Sequence, residues 1–440
     1  MFSFDSGRAS LATYGWIPVR QIPASGINLF QLIYVFCREY AQKTGLSPLN
    51  LSLGNPDTVP DDGILKLQAR YAADRRYELH TYAEDNDLLR YAEAMVELHC
   101  GLRVSEHAHL KAVPIPGIKT ATALIPLACG LHVGERRRAF CLASNLPAYD
   151  VAGTWSQEYL GARRVVWPLV SSEGMRLSVE RLKAALKAAD VPRPDLVFVI
   201  RPGNPAAVGA DAREWKELIE FCIERKARLV NDAAYAGLAE DGHAALASAA
   251  KDYPELEWAE MYSVSKSFSD PGARLGAIVG SKDFIDDFLL IKGNSESGPV
   301  PYVMAAYGKF FEDLRAPRRC MADLRALYRR RLDYVVPALK KAGLRPACGT
   351  EAGFFTLWKA PRRVLGADLF KDLRVANLPA HEAFNRLVIE ETGIVGVHFM
   401  GPAPDGSLQP LIRYAVCADV LSPSFQTRFE EQLARLKPEY

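Results

Sequence analysis

The sequence predicts an α/β fold built on a doubly wound, mainly parallel sheet, with a smaller α+β domain formed by the N- and C-terminal segments. Two observations predict the sheet. From residue 111 onward short apolar runs alternate with helical segments, and residues 196–200 form a continuous apolar run, typical of a strand buried on both faces. After about residue 300 a long helical region ends this alternation. We therefore expect a large domain over residues 61–320 and a small domain from residues 1–60 and 321–440.

The elements of the large domain follow from apolar spacing and from capping residues. Gly101 and Gly130 are candidate helix ends, and Ser178 is a candidate N-cap. Helices are predicted where apolar residues recur at helical spacing: residues 86–100, 118–129, 178–189 and 211–226. Strands are predicted at the shorter apolar runs: residues 112–116, 139–142, 164–167, 196–200, 228–232 and the run that precedes Lys266.

The small domain is predicted to combine helices with a few strands. A short strand is expected at residues 51–53, and a helical region at residues 302–342 with breaks at Pro317 and Pro337. The remaining elements are strands at residues 354–358 and 411–416 and helices at residues 381–391 and 423–436.

The composition is that of an ordinary globular protein. Of 440 residues, 49% are hydrophobic and 24% are charged, and 54 basic residues nearly balance 52 acidic ones to leave a net charge of +2. This balance argues against a dedicated nucleic-acid-binding surface. The densest basic runs, residues 136–138 and 329–331, are interpreted as solvated faces of amphipathic segments.

The sequence favours a cytoplasmic protein. It has no stretch of 18 consecutive apolar residues, so no membrane span is expected, and its first residues lack the order of a signal peptide. Eight cysteines are scattered without a CxxC pair, a distribution that suits a reducing compartment.

The turn around Lys266 carries the first chemical signal. Lys266 lies among the hydroxyls of Ser263 and Ser265, between two largely apolar runs, and Arg274 follows eight residues later. Partial desolvation favours the neutral amine, which can condense with a carbonyl, while the hydroxyls and the arginine can hold a phosphate. A lysine that forms a Schiff base beside a phosphate cradle points to pyridoxal 5'-phosphate. A surface turn with incidental Lys and Ser is the alternative.

A second candidate phosphate site is the loop of Gly117, Ile118 and Lys119. This loop joins a predicted strand to a helix N-terminus, where free backbone N–H groups and the helix dipole suit an anion. Alone it is weak evidence, because any strand-to-helix turn can carry a glycine and Lys119 can simply be solvated.

Three more predicted strands are followed by side chains that fit the ring of such a cofactor. Asn204 can donate a hydrogen bond to a phenolate oxygen, which Tyr235 can share. Asp232 can hold a protonated ring nitrogen, and Tyr149 can stack on the ring. A plain turn, an Asx-type cap and core aromatic residues are the ordinary alternatives at these positions.

In their order and spacing these residues resemble the class I/II aminotransferases, which are fold-type I pyridoxal-phosphate enzymes similar to aspartate aminotransferase. Asn204, Asp232 with Tyr235, and Lys266 come in the family's order, and the resemblance covers about residue 50 to the end. It implies a seven-stranded-type sheet in the large domain. The pattern Ser-x-Ser-Lys, followed by Arg-x-Gly, matches Ser263, Ser265, Lys266, Arg274 and Gly276.

The chain departs from the family's pattern at two places. Ala206 and Ala207 stand where the family often has Thr-Gly, and residues 85–87 lack the glycine that usually follows a tyrosine placed like Tyr82. Neither departure removes a group that binds the cofactor, but both leave the substrate open.

The resemblance implies a role for each site residue. Lys266 would hold the cofactor covalently and move a proton between the substrate and the cofactor, while Asp232 keeps the ring nitrogen protonated. Gly54, Asn204 and Arg413 would bind the substrate, Arg413 through its α-carboxylate; an interdomain salt bridge is the alternative for Arg413. The other cofactor-binding residues would be Gly117, Ile118, Lys119, Tyr149, Asn204, Tyr235, Ser263, Ser265, Arg274 and Tyr82.

The implied activity moves an amino group from an amino acid to a 2-oxo acid by a ping-pong mechanism. In this family Tyr82 would reach the phosphate of the neighbouring subunit, so the resemblance implies a homodimer with shared active sites. A lyase or oxidase that uses the same cofactor remains open, because the reaction depends on which substrate bond lies perpendicular to the ring. A non-catalytic regulator would need a DNA-binding module, for which the first fifty residues look too short and too little basic. No metal site is expected, because the eight histidines form no HExxH pattern.

Overall fold

The fold is taken from a computed structural model that describes residues 29–134, 139–149, 151–403 and 405–440. The basic run at residues 136–138 and the first 28 residues of the expected small domain lie outside the described residues. The described helices are α1 (Leu29–Thr44), α2 (Asp62–Ala73), α3 (Tyr91–Cys100), α4 (Ile118–Pro126), α5 (Val151–Leu160), α6 (Val179–Ala188), α7 (Ala212–Arg225), α8 (Leu246–Ala250), α9 (Val264–Ser267), α10 (Lys282–Gly293), α11 (Pro301–Phe311), α12 (Arg315–Lys341), α13 (Ala380–Thr392) and α14 (Pro423–Leu436).

The strands fall into one large sheet and three small ones. Their bounds are β1 (Leu49–Asn50), β2 (Leu110–Ile115), β3 (Cys141–Leu146), β4 (Arg163–Pro168), β5 (Leu196–Ile200), β6 (Arg228–Asp232), β7 (Trp258–Ser263), β8 (Gly276–Ser281), β9 (Phe355–Lys359), β10 (Arg363–Val364), β11 (Ala367–Asp368), β12 (Ile394–Val395), β13 (Val397–Pro402) and β14 (Leu408–Ala415).

The large sheet has seven strands in the order β2-β8-β7-β6-β5-β3-β4. Strands β3 to β7 pair in parallel with their neighbours in the sheet, and β8 is antiparallel to both β7 and β2. The predicted mainly parallel sheet is thus confirmed. Strand β2 therefore runs in the same direction as β3 to β7. Because six strands share one direction, the loops that follow their carboxyl ends gather at one edge of the sheet, where ligands of such folds bind.

Helices cover both faces of this sheet, as the alternation of side chains along β7 shows. Ala259 and Met261 point into a core formed with α4, α5 and α10. Glu260 and Tyr262 point to the other face, where they contact α8 and α3. All five residues of β5 are buried, which explains its unbroken apolar run.

Two helices that cover the large sheet begin at capping side chains, and the first of these caps, Ser178, was predicted from the sequence. The Ser178 side chain accepts a hydrogen bond from the Arg181 N–H at the start of α6. At the start of α7, Asp211 and Glu214 form a reciprocal capping box, in which each side chain accepts from the backbone N–H of the other.

Three predicted element boundaries are wrong for local reasons. Helix α3 begins at Tyr91 rather than at residue 86, because Leu89 and Arg90 adopt left-handed backbone angles, with φ of 55° and 54°. Helix α4 ends at Pro126, and one π-helical turn follows it. A strand was expected at residues 51–53, but the observed strand is Leu49–Asn50, just before that range.

The predicted helix breaks at Pro317 and Pro337 are also wrong. The chain leaves the helical conformation between Phe311 and Arg315 instead. Pro317 lies in the first turn of α12, where a backbone N–H has no partner within the helix and proline is tolerated. Pro337 lies inside α12, which continues to Lys341.

The chain divides into two compact units. The first comprises Asn55–Tyr328 and Thr350–Gly353, and it contains the large sheet. The second comprises Met1–Gly54, Arg329–Gly349 and Phe354–Tyr440. Within the second unit β13, β14 and β9 form an antiparallel sheet, β1 pairs with β12, β10 pairs with β11, and α1 shares a core cluster with α13. No helix in the described part of the chain combines the length and the apolar character needed to cross a membrane.

Candidate active site

Lys266 lies in the first turn after the carboxyl end of β7, on the four-residue helix α9. Ser263 caps this helix: its Oγ accepts from the Ser265 N–H at 3.1 Å and donates to the Ser265 Oγ at 2.9 Å. The turn is anchored to β8 because the Val264 N–H donates to the Leu275 carbonyl at 3.2 Å. The partly buried lysine is therefore presented at the carboxyl edge of the sheet on a short, hydrogen-bonded support.

A histidine that was not selected from the sequence, His99, also supports this turn. His99 Nε2 lies 2.9 Å from the Ser267 Oγ, and His99 Nδ1 lies 2.9 Å from the Met95 carbonyl. Because a carbonyl only accepts, Nδ1 carries the proton and Nε2 accepts from the serine. Burial lowers the pKa of His99 to about 4, so the ring is neutral at pH 7. It stacks on Tyr262, with ring centroids 4.9 Å apart.

A buried polar network joins the three central strands just below the site. The Glu260 carboxylate of β7 accepts from the Asn231 amide of β6 at 2.7 Å and from the Tyr262 hydroxyl at 2.7 Å. Asn231 in turn exchanges hydrogen bonds with the backbone of Arg201, at 2.8 and 2.9 Å. The network thus fixes the ends of β5, β6 and β7, from which the chain runs directly to Asn204, Asp232 and Lys266.

Asp232 is the last residue of β6 and pairs with Met261 of β7. Its Oδ1 accepts from the Ala234 N–H at 3.0 Å. Desolvation by the surrounding protein raises the pKa of this carboxyl to about 6, although it keeps some accessible surface. A cationic group brought to this carboxylate compensates for its lost hydration.

Asn204, which follows β5, and Tyr235, which follows β6, are in contact. The Asn204 Nδ2 lies 3.4 Å from the Tyr235 hydroxyl, and both side chains are buried. Tyr149 is tied to the same loop, because its N–H donates to the Asn204 carbonyl at 2.7 Å. A Cβ added to Gly353, whose φ is +71°, would lie 3.4 Å from the Tyr235 ring, so a segment distant in sequence packs on this tyrosine.

The departure at Ala207 has a structural consequence. Ala207 adopts a left-handed φ of 52°, a conformation that glycine takes without cost. Its carbonyl accepts from the N–H groups of Glu351 and Ala352, at 2.9 and 3.1 Å. These contacts hold Ala207 in a backbone conformation that a glycine at this position would adopt more readily.

The two candidate phosphate elements come together in space. Gly117, with φ of +89°, precedes α4, and a Cβ added there would fall 2.6 Å from the Arg274 Nη2. The arginine after Lys266 therefore lies against the N-terminus of α4, and the exposed Lys119 has its Nζ 6.0 Å from the centroid of the Tyr149 ring. Ile118 is buried and supplies a backbone N–H at the helix start. A guanidinium beside free helix N–H groups suits a phosphate.

Tyr82 projects from the same unit with 74% of its surface exposed. The segment that follows it is anchored by Lys292, which is fully buried. The Lys292 Nζ donates to the Glu84 carbonyl at 2.9 Å and to the Asp85 carboxylate at 3.0 Å, and it pairs with Glu296 at 3.1 Å.

Gly54 and Arg413 lie together in the other unit. The Arg413 guanidinium is buried, donates to the Ser52 carbonyl at 2.6 Å, and lies 4.1 Å above the Phe355 ring. A Cβ added to Gly54 would come within 2.9 Å of the Phe355 ring and 3.9 Å of the Arg413 Nη1. The glycine thus lets the Phe355 ring pack closely against the backbone beside the Arg413 guanidinium.

The donor set of the large unit fits pyridoxal 5'-phosphate group by group. The Gly117–Arg274 contact forms an anion cradle that a side chain at residue 117 would fill. Lys266, Asp232 and the Asn204–Tyr235 pair supply an amine, a desolvated carboxylate and two phenolate ligands. Within the described residues, no three or more His, Cys, Asp or Glu side chains are grouped so that they could hold a metal ion.

Comparison with known proteins agrees with this chemistry. The family described as aminotransferase class I and II matches residues 50–418. The LL-diaminopimelate aminotransferase of Syntrophobacter fumaroxidans is 25% identical over 397 residues, 89% of this chain and 92% of that one. The protein of the same name from Methanocaldococcus jannaschii is 26% identical over 324 residues, 73% of this chain and 72% of that one.

A solved structure shows the same fold. The aspartate aminotransferase of Thermus thermophilus with maleate superposes with a TM-score of 0.72 at 19% identity, over 93% of this chain and 96% of that one. The chain therefore belongs to the class I and II aminotransferases, and it is an enzyme that transfers amino groups with pyridoxal 5'-phosphate.

Proposed function

We propose that the carboxyl edge of the large sheet is the active site and that it moves an amino group from an amino acid to a 2-oxo acid by a ping-pong mechanism. The observation that carries this assignment is the contact between Arg274 and Gly117. It brings the turn after Lys266 to the N-terminus of α4, so that the candidate covalent anchor and the phosphate cradle form one site. An incidental surface lysine would not require that coincidence.

The residues have distinct tasks in this proposal. Bound pyridoxal 5'-phosphate supplies an electron-accepting ring. The Lys266 Nζ would hold the cofactor covalently, and as a free amine it would take the proton from the substrate α-carbon. The Asp232 carboxylate accepts a hydrogen bond from the ring nitrogen and keeps that nitrogen protonated. The Asn204 amide and the Tyr235 hydroxyl donate to the ring oxygen.

The remaining residues bind and orient. Arg274 donates to the phosphate together with the hydroxyls of Ser263 and Ser265 and the backbone N–H groups at the start of α4. Tyr149 packs on the ring. Arg413 holds the α-carboxylate of the substrate in a bidentate pair, with Gly54 beside it.

We further propose a homodimer in which the exposed Tyr82 donates to the cofactor phosphate of a second copy. Residues 61–320 serve as the cofactor-binding domain, and residues 1–60 and 321–440 as the domain that binds the substrate carboxylate. The scattered cysteines support a reducing compartment, the cytoplasm.

The names of the relatives suggest which amino donor to test first. LL-diaminopimelate is named for both curated relatives, so we propose it as the leading candidate for this chain. The test is a single-turnover assay in which the cofactor's absorbance is followed as donors are added one at a time, with 2-oxoglutarate or pyruvate then added to complete the cycle. Transamination predicts stoichiometric pyridoxamine phosphate in the first step and its reversal in the second. Release of ammonia without a pyridoxamine form would instead assign a lyase or an oxidase.

A further inference from the structure

The turn between Lys266 and Arg274 contains a carboxylate to which the scheme above gives no task. Asp270 lies midway between these two residues and is partly buried. Its Oδ1 accepts from the Ala273 N–H at 3.2 Å, so the side chain caps the single 3-10 turn Pro271–Ala273. A capped turn of this kind has a fixed exit direction for the residue that follows it.

The second oxygen of Asp270 ties the turn to two helices. The Asp270 Oδ2 accepts from the Gln68 Nε2 of α2 at 2.8 Å and from the Tyr307 hydroxyl of α11 at 2.9 Å. Helices α2 and α11 pack against each other. Burial raises the pKa of Tyr307 well above its ordinary value, so the hydroxyl keeps its proton and remains a donor to the carboxylate.

Arg274 depends on this turn for its position. Its backbone takes a left-handed φ of 49°, which is unfavourable for a residue with a Cβ and has to be imposed by neighbouring contacts. Its Nη1 donates to the Pro271 carbonyl at 3.0 Å, and its Nη2 side lies against Gly117. The guanidinium is thus held from inside the turn that Asp270 caps.

We propose that Asp270 is a positioning residue that holds Arg274 over Gly117 and thereby sets the affinity of the enzyme for the phosphate of its cofactor. The proposal rests on the assignment of Arg274 as a phosphate ligand. If Asp270 served only the stability of the fold, its loss would weaken binding of every part of the cofactor alike. If it positions Arg274, its loss weakens binding of the phosphate alone.

The experiment compares pyridoxal 5'-phosphate with pyridoxal, which lacks the phosphate. The cofactor-depleted protein is titrated with each compound, and the dissociation constant of pyridoxal is divided by that of pyridoxal 5'-phosphate. This ratio falls when the contribution of the phosphate to binding is lost. Asp270→Ala should weaken binding of pyridoxal 5'-phosphate about tenfold and change that of pyridoxal by less than about twofold. Asp270→Asn should restore most of the ratio, because the amide oxygen still accepts from the Ala273 N–H. Tyr307→Phe, which keeps the buried ring, should lower the ratio by a smaller factor.

Two further variants make the outcome specific. Thr58→Val removes the 2.6 Å contact between the Thr58 and Ser269 hydroxyls next to Asp270, and it should leave the ratio unchanged. Equal weakening of both ligands in Asp270→Ala, or an equal fall of the ratio in Thr58→Val, overturns the proposal. Arg274→Ala separates a failure of this proposal from a failure of the proposed function. If that variant leaves the ratio unchanged, Arg274 does not bind the phosphate and the proposed phosphate site itself is wrong.

Discussion

Gly117 and Arg274 lie so close that a Cβ on the glycine would fall 2.6 Å from the arginine Nη2, although Gly117 connects β2 to α4 and Arg274 lies between α9 and β8. The glycine also has a φ of +89°, which L-residues with a Cβ rarely adopt. Gly117→Ala should therefore displace Arg274 and weaken cofactor binding by about tenfold or more. Titration of the depleted protein with pyridoxal 5'-phosphate measures the loss.

Gly293 provides a matched control for this substitution. It ends α10, its φ is not positive, and a Cβ added there would meet nothing within 4 Å. Gly293→Ala should bind the cofactor as the parent does. An unchanged affinity in Gly117→Ala, with the fold intact, would contradict the cradle.

The ionised Asp232 carboxylate should lower the stability of the folded chain while it supports binding of the cofactor. Its pKa in the folded chain is raised to about 6 from an ordinary value of 3.8, so the ionised carboxylate destabilises the folded state once the pH exceeds both values. In the cofactor-depleted protein, Asp232→Asn should be more stable than the parent by about 2–3 kcal/mol at pH 8, with the difference gone below about pH 4. Urea unfolding at several pH values measures this difference.

The same variant should lose the enzyme's activity. A neutral amide cannot hold the ring nitrogen protonated, so transamination by Asp232→Asn should fall by at least about a hundredfold. A variant that is both less stable and fully active would contradict the role assigned to Asp232.

Much of this arrangement was predictable because its parts are local. The apolar run of β5 and the N-cap at Ser178 can be read from neighbouring residues, and both predictions were confirmed. Asn204, Asp232 and Lys266 could be selected as candidates for the same reason, since each lies at or just after the end of a recognisable strand.

What was missed depends on contacts between residues far apart in the chain. Asp270 meets Gln68 and Tyr307, and His99 meets Ser267, only after the helices have packed. Pro317 was misjudged for a local reason. Proline usually breaks a helix, but here the helix begins two residues earlier, in a turn where proline is tolerated.

Lys292 should contribute to the stability of the fold. It is fully buried and pairs with Asp85 and with Glu296, whose side chain is 15% exposed. Lys292→Met would leave the Glu296 carboxylate without this partner in a largely buried position, so the free energy of unfolding should fall by about 3 kcal/mol. Lys282→Met removes an exposed pair with Asp286 and should cost less than about 1 kcal/mol. Similar losses for both variants in urea unfolding would contradict this interpretation.

Mixing two inactive variants tests whether active sites are shared between subunits. If Tyr82 of one copy completes the site of the other, a heterodimer of Lys266→Ala and Tyr82→Ala subunits contains one site with both residues intact. Equal mixing after unfolding and reassembly should then recover up to about a quarter of the parent activity. Activity that only equals the sum of the two separate variants would show that Tyr82 acts within its own subunit or not at all.

The most direct test of the central claim is to locate the covalent bond to the cofactor. The purified protein, incubated with pyridoxal 5'-phosphate, is reduced with borohydride and digested, and the modified peptide is identified by mass spectrometry. We expect a single phosphopyridoxyl group on Lys266 and loss of the visible absorption band in Lys266→Ala. A stoichiometric label on another lysine, such as Lys119, or a band that survives in Lys266→Ala, would contradict the account.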